Sequence, residues 1–275
     1  MGSLDGKVAL VTGAARGQGR THAVQMAREG ADIIALDICA PIESVPYPMA
    51  TRPDLDQTVR EVEAAGRRIA ATVADVRDLG ALTAAVEAGV GELGRLDIVV
   101  ANAGISAPAP TLEMSEETWT TMIDINLTGV WRTVRAATPH IVAGGRGGSI
   151  VIISSLAALV ANANIAHYAA AKSGLVGLMK VLAKELAAQS IRVNTVHPTT
   201  VATDMVLNDA TYKLFRPDLE APTRHDFEAA ARTLNRMPVA LTEPIDITNA
   251  VLYLVSDAGR YVTGTTHIVD AGGAL

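Results

Sequence analysis

The sequence of 275 residues is poor in several residue types and patterns, and each shortage excludes a class of protein. Its single cysteine, Cys39, excludes an internal disulfide and fits a reducing compartment, so we expect a cytoplasmic protein. No apolar run approaches the roughly 20 residues of a membrane-spanning helix, and the first residues lack a signal-peptide core. The six histidines show no metal-ligand spacing, and no basic stripe accompanies the formal net charge of -6. We therefore expect no membrane association, no metal site and no nucleic-acid partner.

Aromatic residues make up only 3% of the chain, so aliphatic side chains must build the core. Short apolar runs alternate with helical patterns along nearly the whole sequence. The predicted strands are 7–11, 31–36, 69–73, 96–100, 149–153, 191–196 and 266–269, and the predicted helices are 19–29, 55–65, 79–90, 119–137, 168–188 and 245–254. Continuously apolar strands indicate a sheet buried on both faces. The pattern therefore predicts an α/β fold, a single Rossmann-type doubly wound parallel sheet with helices on both faces, in one domain over 1–275.

A glycine-rich turn, Thr12-Gly-Ala-Ala-Arg-Gly-Gln-Gly19, joins the first predicted strand to the first helix. Because glycine has no side chain, the backbone of this turn can approach a pyrophosphate closely, and the helix N-terminus offers free N–H groups. Asp37 ends the second strand, where a carboxylate can accept hydrogen bonds from the adenosine ribose and would repel the 2′-phosphate of NADP. These features predict NAD as the cofactor. The guanidinium of Arg16 could instead bind the 2′-phosphate and would then favour NADP.

Other candidate ligand-binding residues follow several predicted strands, at the sheet edge where ligands bind in this architecture. They include Asp75, Asn102, Ser155 and Pro198. Asp75-Val76 suits a contact with adenine, in which the carboxylate accepts from the exocyclic amine. An N-cap for the following helix is an equally good interpretation of Asp75.

Tyr168 and Lys172 stand four residues apart on a predicted helix and therefore share one face. A phenol is a poor base at neutral pH, but a nearby ammonium favours the phenolate. Ser155 ends the fifth strand, where its hydroxyl could hold a substrate oxygen. Taken alone, the Tyr-x3-Lys pair is more often a solvated helix face, and Ser154-Ser155 is equally a helix N-cap or a turn. Beside a dinucleotide, however, the set predicts redox chemistry between an alcohol and a carbonyl.

From about Leu4 to Gly273 the sequence resembles the short-chain dehydrogenase/reductase family. The resemblance rests on Thr12-Gly-x3-Gly-x-Gly19, Asn102-Ala-Gly104, Asn126, Ser155, Tyr168-x3-Lys172 and Pro198. It implies a Rossmann fold, usually a homotetramer, and the catalytic residues Asn126, Ser155, Tyr168 and Lys172. The expected cofactor-binding residues are Gly13, Arg16, Gly17, Gln18, Gly19, Asp37, Ile38, Asp75, Val76, Asn102, Ala103, Gly104, Tyr168, Lys172, Pro198, Val201 and Thr203.

Two details of this resemblance bear on the site. Asn126 would hold a water that links Lys172 to solvent, and the alternative for it is an amide that packs between helices. Thr199 follows Pro198 where the family commonly has glycine, which leaves the backbone course at that point open.

Two segments interrupt the alternation of strands and helices. Residues 38–53 contain four prolines, which exclude a regular helix or a central strand, and they form a Pro-rich insertion near the expected adenosine site. The insertion resembles that of the carveol dehydrogenase-like, mycofactocin-coupled subgroup. That resemblance implies tightly held NAD, an external redox acceptor and oxidation of carveol or a related terpenoid alcohol. From the residues alone, an ordinary surface loop is an equally good interpretation of the insertion. Residues 204–240 form a longer excursion, which we predict to be a lid that covers the substrate.

The predicted function is therefore an NAD-dependent oxidoreductase that interconverts a secondary alcohol and its ketone, with Tyr168 as general base or acid. A reductase or dehydrogenase of 3-oxoacyl or hydroxysteroid substrates with the same four residues is the close alternative. A non-catalytic NAD-sensing protein is the distant one, although a pure binder has no need of Tyr168 and Lys172 together.

Overall fold

The computed structural model describes residues 2–275, which form one seven-stranded sheet with helices on both faces. The strands are β1 Val8–Thr12, β2 Asp32–Asp37, β3 Ile69–Val73, β4 Ile98–Ala101, β5 Gly148–Ile153, β6 Ile191–Pro198 and β7 Thr266–Val269. They lie in the order β3-β2-β1-β4-β5-β6-β7, and every neighbouring pair is parallel. The predicted α/β fold is confirmed, and all seven predicted strands are present.

Nine α-helices connect and flank the strands within residues 2–275. They are α1 Gly17–Arg28, α2 Arg52–Ala64, α3 Leu79–Leu93, α4 Glu116–Ile123, α5 Gly129–Gly144, α6 Ala166–Leu186, α7 Asp209–Phe215, α8 Arg224–Leu234 and α9 Pro244–Val255.

Alternate residues of the central strands supply two separate apolar layers. Leu10 and Ile150 pack in the layer that holds α3, α5 and α6, whereas Val11 and Val151 pack in the layer that holds α1, α2 and α9. All four side chains are completely buried. This double burial is the physical reason for the continuously apolar strand sequences.

The single helix predicted over 119–137 is wrong in its bounds and in its continuity. The hydroxyl of Ser115 caps the start by accepting a hydrogen bond from the Thr118 N–H at 3.1 Å, so the helix begins earlier than predicted. Asp124–Thr128 then winds as a π-helix between α4 and α5, and the middle of this segment holds the buried Asn126. A π-helical turn adds a residue to the turn, and hydrophobic periodicity does not reveal it.

Residues 204–240 contain the two helices α7 and α8, for which the sequence pattern gave no prediction. Phe227 on α8 is completely buried, with its ring centroid 5.2 Å from that of Tyr212 and 4.9 Å from that of Phe215. This aromatic cluster joins the two short helices. In a chain with so few aromatic residues, the segment thus has a small core of its own.

Two glycines of α3 test how tightly this helix packs on the sheet. An added Cβ at Gly89 would lie 2.8 Å from the Ile34 Cγ2, whereas an added Cβ at Gly91 meets nothing within 4 Å. We expect Gly89→Ala to lower the free energy of unfolding by about 1–3 kcal/mol through overpacking. Gly91→Ala, the matched control, should raise it by about 0.5–1 kcal/mol through helix propensity. Denaturant unfolding measures both, and a shift of the two variants in the same direction would contradict this packing.

Candidate active site

A cleft opens along the C-terminal ends of β1, β2, β3, β4 and β5 and encloses about 1090 Å³, part of it open to solvent. Parallel strands all end at this edge, which is why distant parts of the sequence meet here. Fifteen predicted residues line the cleft: Gly13, Arg16, Gly17, Gln18, Gly19, Asp37, Ile38, Asp75, Val76, Asn102, Ala103, Gly104, Tyr168, Lys172 and Thr203. Four predicted residues lie outside its lining, namely Asn126, Ser155, Pro198 and Val201.

The glycine loop between β1 and α1 is shaped to let a ligand approach its backbone. Gly13 and Gly17 adopt the left-handed φ values of 67° and 53°, which favour glycine. An added Cβ at Gly19 would lie 1.9 Å from the carbonyl oxygen of Gly13, so no side chain fits there. Next to it the side-chain oxygen of Gln18 is buried and has no partner among the described residues. A backbone cradle at a helix N-terminus fits a phosphate-bearing group, whereas the unpaired Gln18 oxygen, which only accepts, would need a hydrogen-bond donor on the ligand.

Asp37 is held rigidly at the end of β2. One of its carboxylate oxygens accepts a hydrogen bond from the Ala15 N–H and the other accepts from the Cys39 N–H, each at 3.0 Å. The carboxylate therefore ties the glycine loop to the start of the insertion. Arg16 lies on the other side of the loop and forms an ion pair with Asp204 at 2.9 Å, so its guanidinium already has an anionic partner.

Asp75 lines the cleft but does not cap the helix that follows. Its carboxylate pairs with the guanidinium of Arg77 at 2.6 Å, whereas Asp78 caps α3 by accepting from the Ala81 N–H at 2.9 Å. The N-cap interpretation of Asp75 is therefore wrong. Burial alone would raise the pKa of Asp75, but the hydrogen bonds from Arg77 outweigh it and lower that pKa.

Lys172 is buried at the inner end of the cleft, on the same face of α6 as Tyr168. Its ammonium donates to the carbonyl oxygen of Ile153 at 2.8 Å and lies 5.6 Å from the centroid of the Tyr168 ring. The Ser154 hydroxyl donates to the carbonyl oxygen of Lys172 at 2.9 Å. Two hydrogen bonds thus cross between the end of β5 and α6 and fix their distance.

Burial dominates the electrostatics of this pair. It lowers the pKa of Lys172 to about 8, because the charged ammonium loses its hydration. It also raises the pKa of Tyr168, although a hydrogen bond with the Ser155 side chain acts in the opposite direction. The Lys172 ammonium donates its hydrogen bond to the Ile153 carbonyl. The expected stabilisation of the phenolate by this ammonium stays a prediction.

Asn126 makes packing hydrogen bonds with its side chain. Its amide donates to the Ile105 carbonyl oxygen at 2.8 Å, and its side-chain oxygen accepts from the Ile105 N–H at 2.9 Å. An added Cβ at Gly104 would lie 3.0 Å from that side-chain oxygen and 3.5 Å from the Lys172 Nζ. Gly104 therefore leaves open the small space that Asn126 and Lys172 both border.

The remaining predicted residues lie outside the lining of the cleft. Ser155 caps a short 3-10 helix by accepting from the Ala157 N–H at 3.1 Å, as one of its two interpretations anticipated. Val201 is buried and pairs with Thr242 in an isolated bridge, and Pro198 ends β6. The Thr199 N–H donates to the Val269 carbonyl at 3.2 Å, so the chain keeps its course along β7 after Pro198.

Two contacts between loops, here called straps, border the cleft, and sequence reasoning missed Tyr47 in one of them and Asp204 in the other. Tyr47 of the insertion is buried, and its hydroxyl accepts from the Ser106 N–H beyond β4 at 3.1 Å. On the opposite side, Asp204 binds Arg16, and the Thr203 methyl carbon lies 3.2 Å from the place of a Cβ on Gly17. An aromatic residue among prolines, in a chain with few aromatics, was the available signal for Tyr47. The lining residues not predicted singly are Leu36, Ile42, Tyr47, Met49, Ala50, Ala74, Ile105, Ile125, Ile153, Ser154, Asp204 and Met205.

Comparison with known proteins identifies the family. The family described as short chain dehydrogenase matches residues 7–212. The chain belongs to the short-chain dehydrogenase family. This dehydrogenase is an oxidoreductase, and it is 54% identical to a (-)-trans-carveol dehydrogenase of Rhodococcus erythropolis over the full length of both chains.

Two solved structures resemble this dehydrogenase closely. A carveol dehydrogenase from Mycobacterium avium in complex with NAD is 53% identical, with a TM-score of 0.98 over 99% of each chain. A short chain dehydrogenase from Mycobacterium paratuberculosis bound to NAD is 46% identical, with a TM-score of 0.92 over 99% of each chain.

Neither a metal-binding cluster nor a membrane-spanning helix is present among residues 2–275. Among residues 2–275, no group of three His, Cys, Asp or Glu side chains comes together in a way that could hold a metal ion. Over the same residues, no helix has the length and apolar character needed to cross a membrane.

The buried lysine should make the stability of this dehydrogenase depend on pH. The pKa of Lys172 is about 8 in the folded protein and 10.5 when unperturbed, so the unfolded chain binds the proton more tightly. Folding is therefore penalised below pH 8, and the penalty fades as the pH rises to 10.5. We expect Lys172→Met to stabilise the protein at neutral pH by on the order of 1–2 kcal/mol, after subtraction of the lost hydrogen bond to Ile153.

Denaturant unfolding at several pH values measures this gain, which should shrink above pH 8. Lys184→Met, at an exposed position of the same helix, is the matched control and should show no such dependence. A gain for Lys172→Met that does not change with pH would contradict the assigned cause.

Proposed function

We propose that this chain is an NAD-dependent oxidoreductase that interconverts a secondary alcohol and its ketone, with carveol or a related terpenoid or alicyclic alcohol as substrate. The observation that carries the proposal is the placement of Tyr168 and the buried Lys172 in the same cleft as the glycine cradle. The relative named (-)-trans-carveol dehydrogenase supports the substrate class through its 54% identity over the full length.

The cleft fits NAD as the cofactor. The glycine loop would hold the pyrophosphate, and the fixed carboxylate of Asp37 would accept from the adenosine ribose and exclude a 2′-phosphate. Arg16 is engaged by Asp204, which weakens the argument for NADP. Two solved relatives contain NAD, which supports the same assignment. Equal turnover with NADP would contradict this role of Asp37.

Bound NAD supplies the oxidising power by accepting a hydride from the carbinol carbon. The protein supplies position and proton transfer. Ser155 holds the substrate oxygen beside Tyr168, and Tyr168 as phenolate takes the hydroxyl proton as general base. Burial raises the pKa of Tyr168, so positive charge close to the phenol is needed to form the phenolate. The positive nicotinamide beside Lys172 would provide that charge.

The proton then leaves the phenol by way of Lys172. The pKa of Lys172, about 8, lies close enough to neutrality for this side chain to give up a proton and take another. The space left by Gly104, bordered by Lys172 Nζ and the Asn126 oxygen, suits a water that continues the relay. In this proposal Asn126 binds this water and also makes its packing hydrogen bonds to Ile105.

The two irregular segments would close the cleft around its ligands. Residues 38–53 would retain NAD through the Tyr47 strap, which extends beyond the adenosine end to the residues after β4. Residues 204–240 would cover the substrate, with Met205 lining the cleft. Retained NAD would require an external redox acceptor of the mycofactocin type, so that the bound cofactor is reoxidised in place.

The assembly and location are part of the proposal as well. Exposed Trp119 on α4, Trp131 on α5 and Val181 on α6 offer apolar surface for pairing of subunits in a homotetramer. The single cysteine supports the cytoplasm as the compartment.

Turnover of 3-oxoacyl or steroid substrates in place of terpenoid alcohols would favour the alternative function, a 3-oxoacyl or hydroxysteroid reductase or dehydrogenase.

The Tyr168→Phe variant tests the general base. It should lower turnover of carveol at least about 100-fold, because the ring remains while the proton acceptor is lost. NAD should stay bound, since the glycine cradle and Asp37 are unchanged. Tyr261→Phe, at a highly exposed tyrosine, is the matched control and should keep full turnover. Retained activity of Tyr168→Phe would refute the assignment.

The Tyr47→Phe variant tests the strap over the cofactor. Loss of the hydroxyl removes the hydrogen bond to the Ser106 N–H and leaves the packing of the ring intact. We expect NAD to leave about two- to tenfold faster, as one hydrogen bond predicts. Release can be followed with a second dehydrogenase that consumes free NAD, with Tyr253→Phe on α9 as the control. An unchanged rate of release would mean that this strap does not retain NAD.

A further inference from the structure

His197 is a completely buried imidazole next to the end of β6, outside the lining of the cleft. Both ring nitrogens have partners. The Nδ1 atom lies 2.9 Å from the backbone carbonyl oxygen of Ser155, and the Nε2 atom lies 2.8 Å from the Thr195 hydroxyl. The ring thus bridges a strand of the sheet and the serine that ends β5.

These partners determine the tautomer of His197. A carbonyl oxygen only accepts hydrogen bonds, so Nδ1 must carry the hydrogen. In a neutral ring Nε2 then accepts, and the Thr195 hydroxyl donates to it. Burial lowers the pKa of His197 and the charge of Lys172 adds to this, although the bond to Ser155 opposes both. The ring therefore stays neutral and is held in one orientation from both ends.

The bond from His197 holds the chain just beyond the end of the backbone ladder between β5 and β6. The last ladder bond here runs from the Ser154 N–H to the Val196 carbonyl at 2.8 Å. The next ladder bond would run from the N–H of residue 198 to the Ser154 carbonyl, and proline has no N–H. One residue further along, the Ser155 carbonyl accepts from the imidazole and from the Ala158 N–H at 3.1 Å. Both lone pairs of that oxygen are thereby used, and the backbone of Ser155 is fixed.

We propose that His197 is a positioning residue that sets the Ser155 hydroxyl against Tyr168 by holding the Ser155 carbonyl. This inference rests on the proposed function, in which Ser155 holds the substrate oxygen. The imidazole does not line the cleft, so we expect its effect on turnover to run through Ser155. A displaced hydroxyl would misplace the substrate oxygen relative to the phenol, which lowers kcat more than it raises KM.

Two amide substitutions separate the two ends of the ring. The amide of His197→Asn places an N–H near the position of Nδ1 and can keep the bond to Ser155. The amide of His197→Gln reaches the position of Nε2 and loses that bond. With carveol and an artificial electron acceptor that reoxidises the bound cofactor, we expect kcat of the Gln variant to fall about 10- to 100-fold and that of the Asn variant to stay within about threefold. Melting temperature and bound NAD are measured for both.

Combination with Ser155→Ala shows whether the effect runs through Ser155. His197→Gln should cause no further loss of kcat in the Ser155→Ala protein, because the group it positions is gone. An additional loss there, or equal losses of kcat for the Asn and Gln variants, would overturn the positioning role alone. Full turnover by Ser155→Ala by itself would overturn the proposed role of Ser155 and the positioning role with it.

Discussion

The burial of one ammonium group is the constraint on which the rest of the site depends. Lys172 keeps its charge away from water only because the carbonyl at the end of β5 accepts its hydrogen bond. That requirement fixes how α6 lies against the sheet, and the Ser154 hydroxyl reinforces it by donating back to the Lys172 carbonyl. The position of Tyr168, one helical turn earlier, follows from the same contact. Lys172 is thus a side chain whose burial costs folding free energy below pH 8.

Three consecutive residues at the end of β5 are each fixed by a different side-chain contact. Ile153 is held by Lys172, Ser154 by its bond to α6, and Ser155 by the imidazole of His197. The parallel sheet brings the glycine loop and these residues to one edge, and the two straps then border the cleft from either side. The fixed residues at the end of β5 would place an alcohol accurately, and the two straps would retain a cofactor.

The sequence was sufficient for the fold because the strand runs are short, apolar and separated by helical patterns, which local periodicity reports well. The sequence also predicted most residues of the cleft, because parallel strands end at one edge of the sheet and their positions there do not depend on the loop conformations. The π-helical turn around Asn126, the helices α7 and α8 and the Tyr47 strap could not be predicted. Each depends on tertiary partners: the Ile105 backbone, the Phe227 cluster and the Ser106 N–H. Asp75 was ambiguous because only the structure shows that Arg77 occupies its carboxylate.

The most direct test of the central claim is the near-ultraviolet absorbance of reduced nicotinamide after carveol is mixed with purified protein, first without cofactor and then with added NAD. The account predicts a rise equal to the concentration of protein before any NAD is added, with little further turnover afterwards. A rise only after addition of NAD would keep the alcohol chemistry but remove the role of the straps in retaining cofactor. No rise at either stage, with carveol or with other secondary alcohols, would contradict the assignment of Tyr168 and Lys172 to alcohol oxidation.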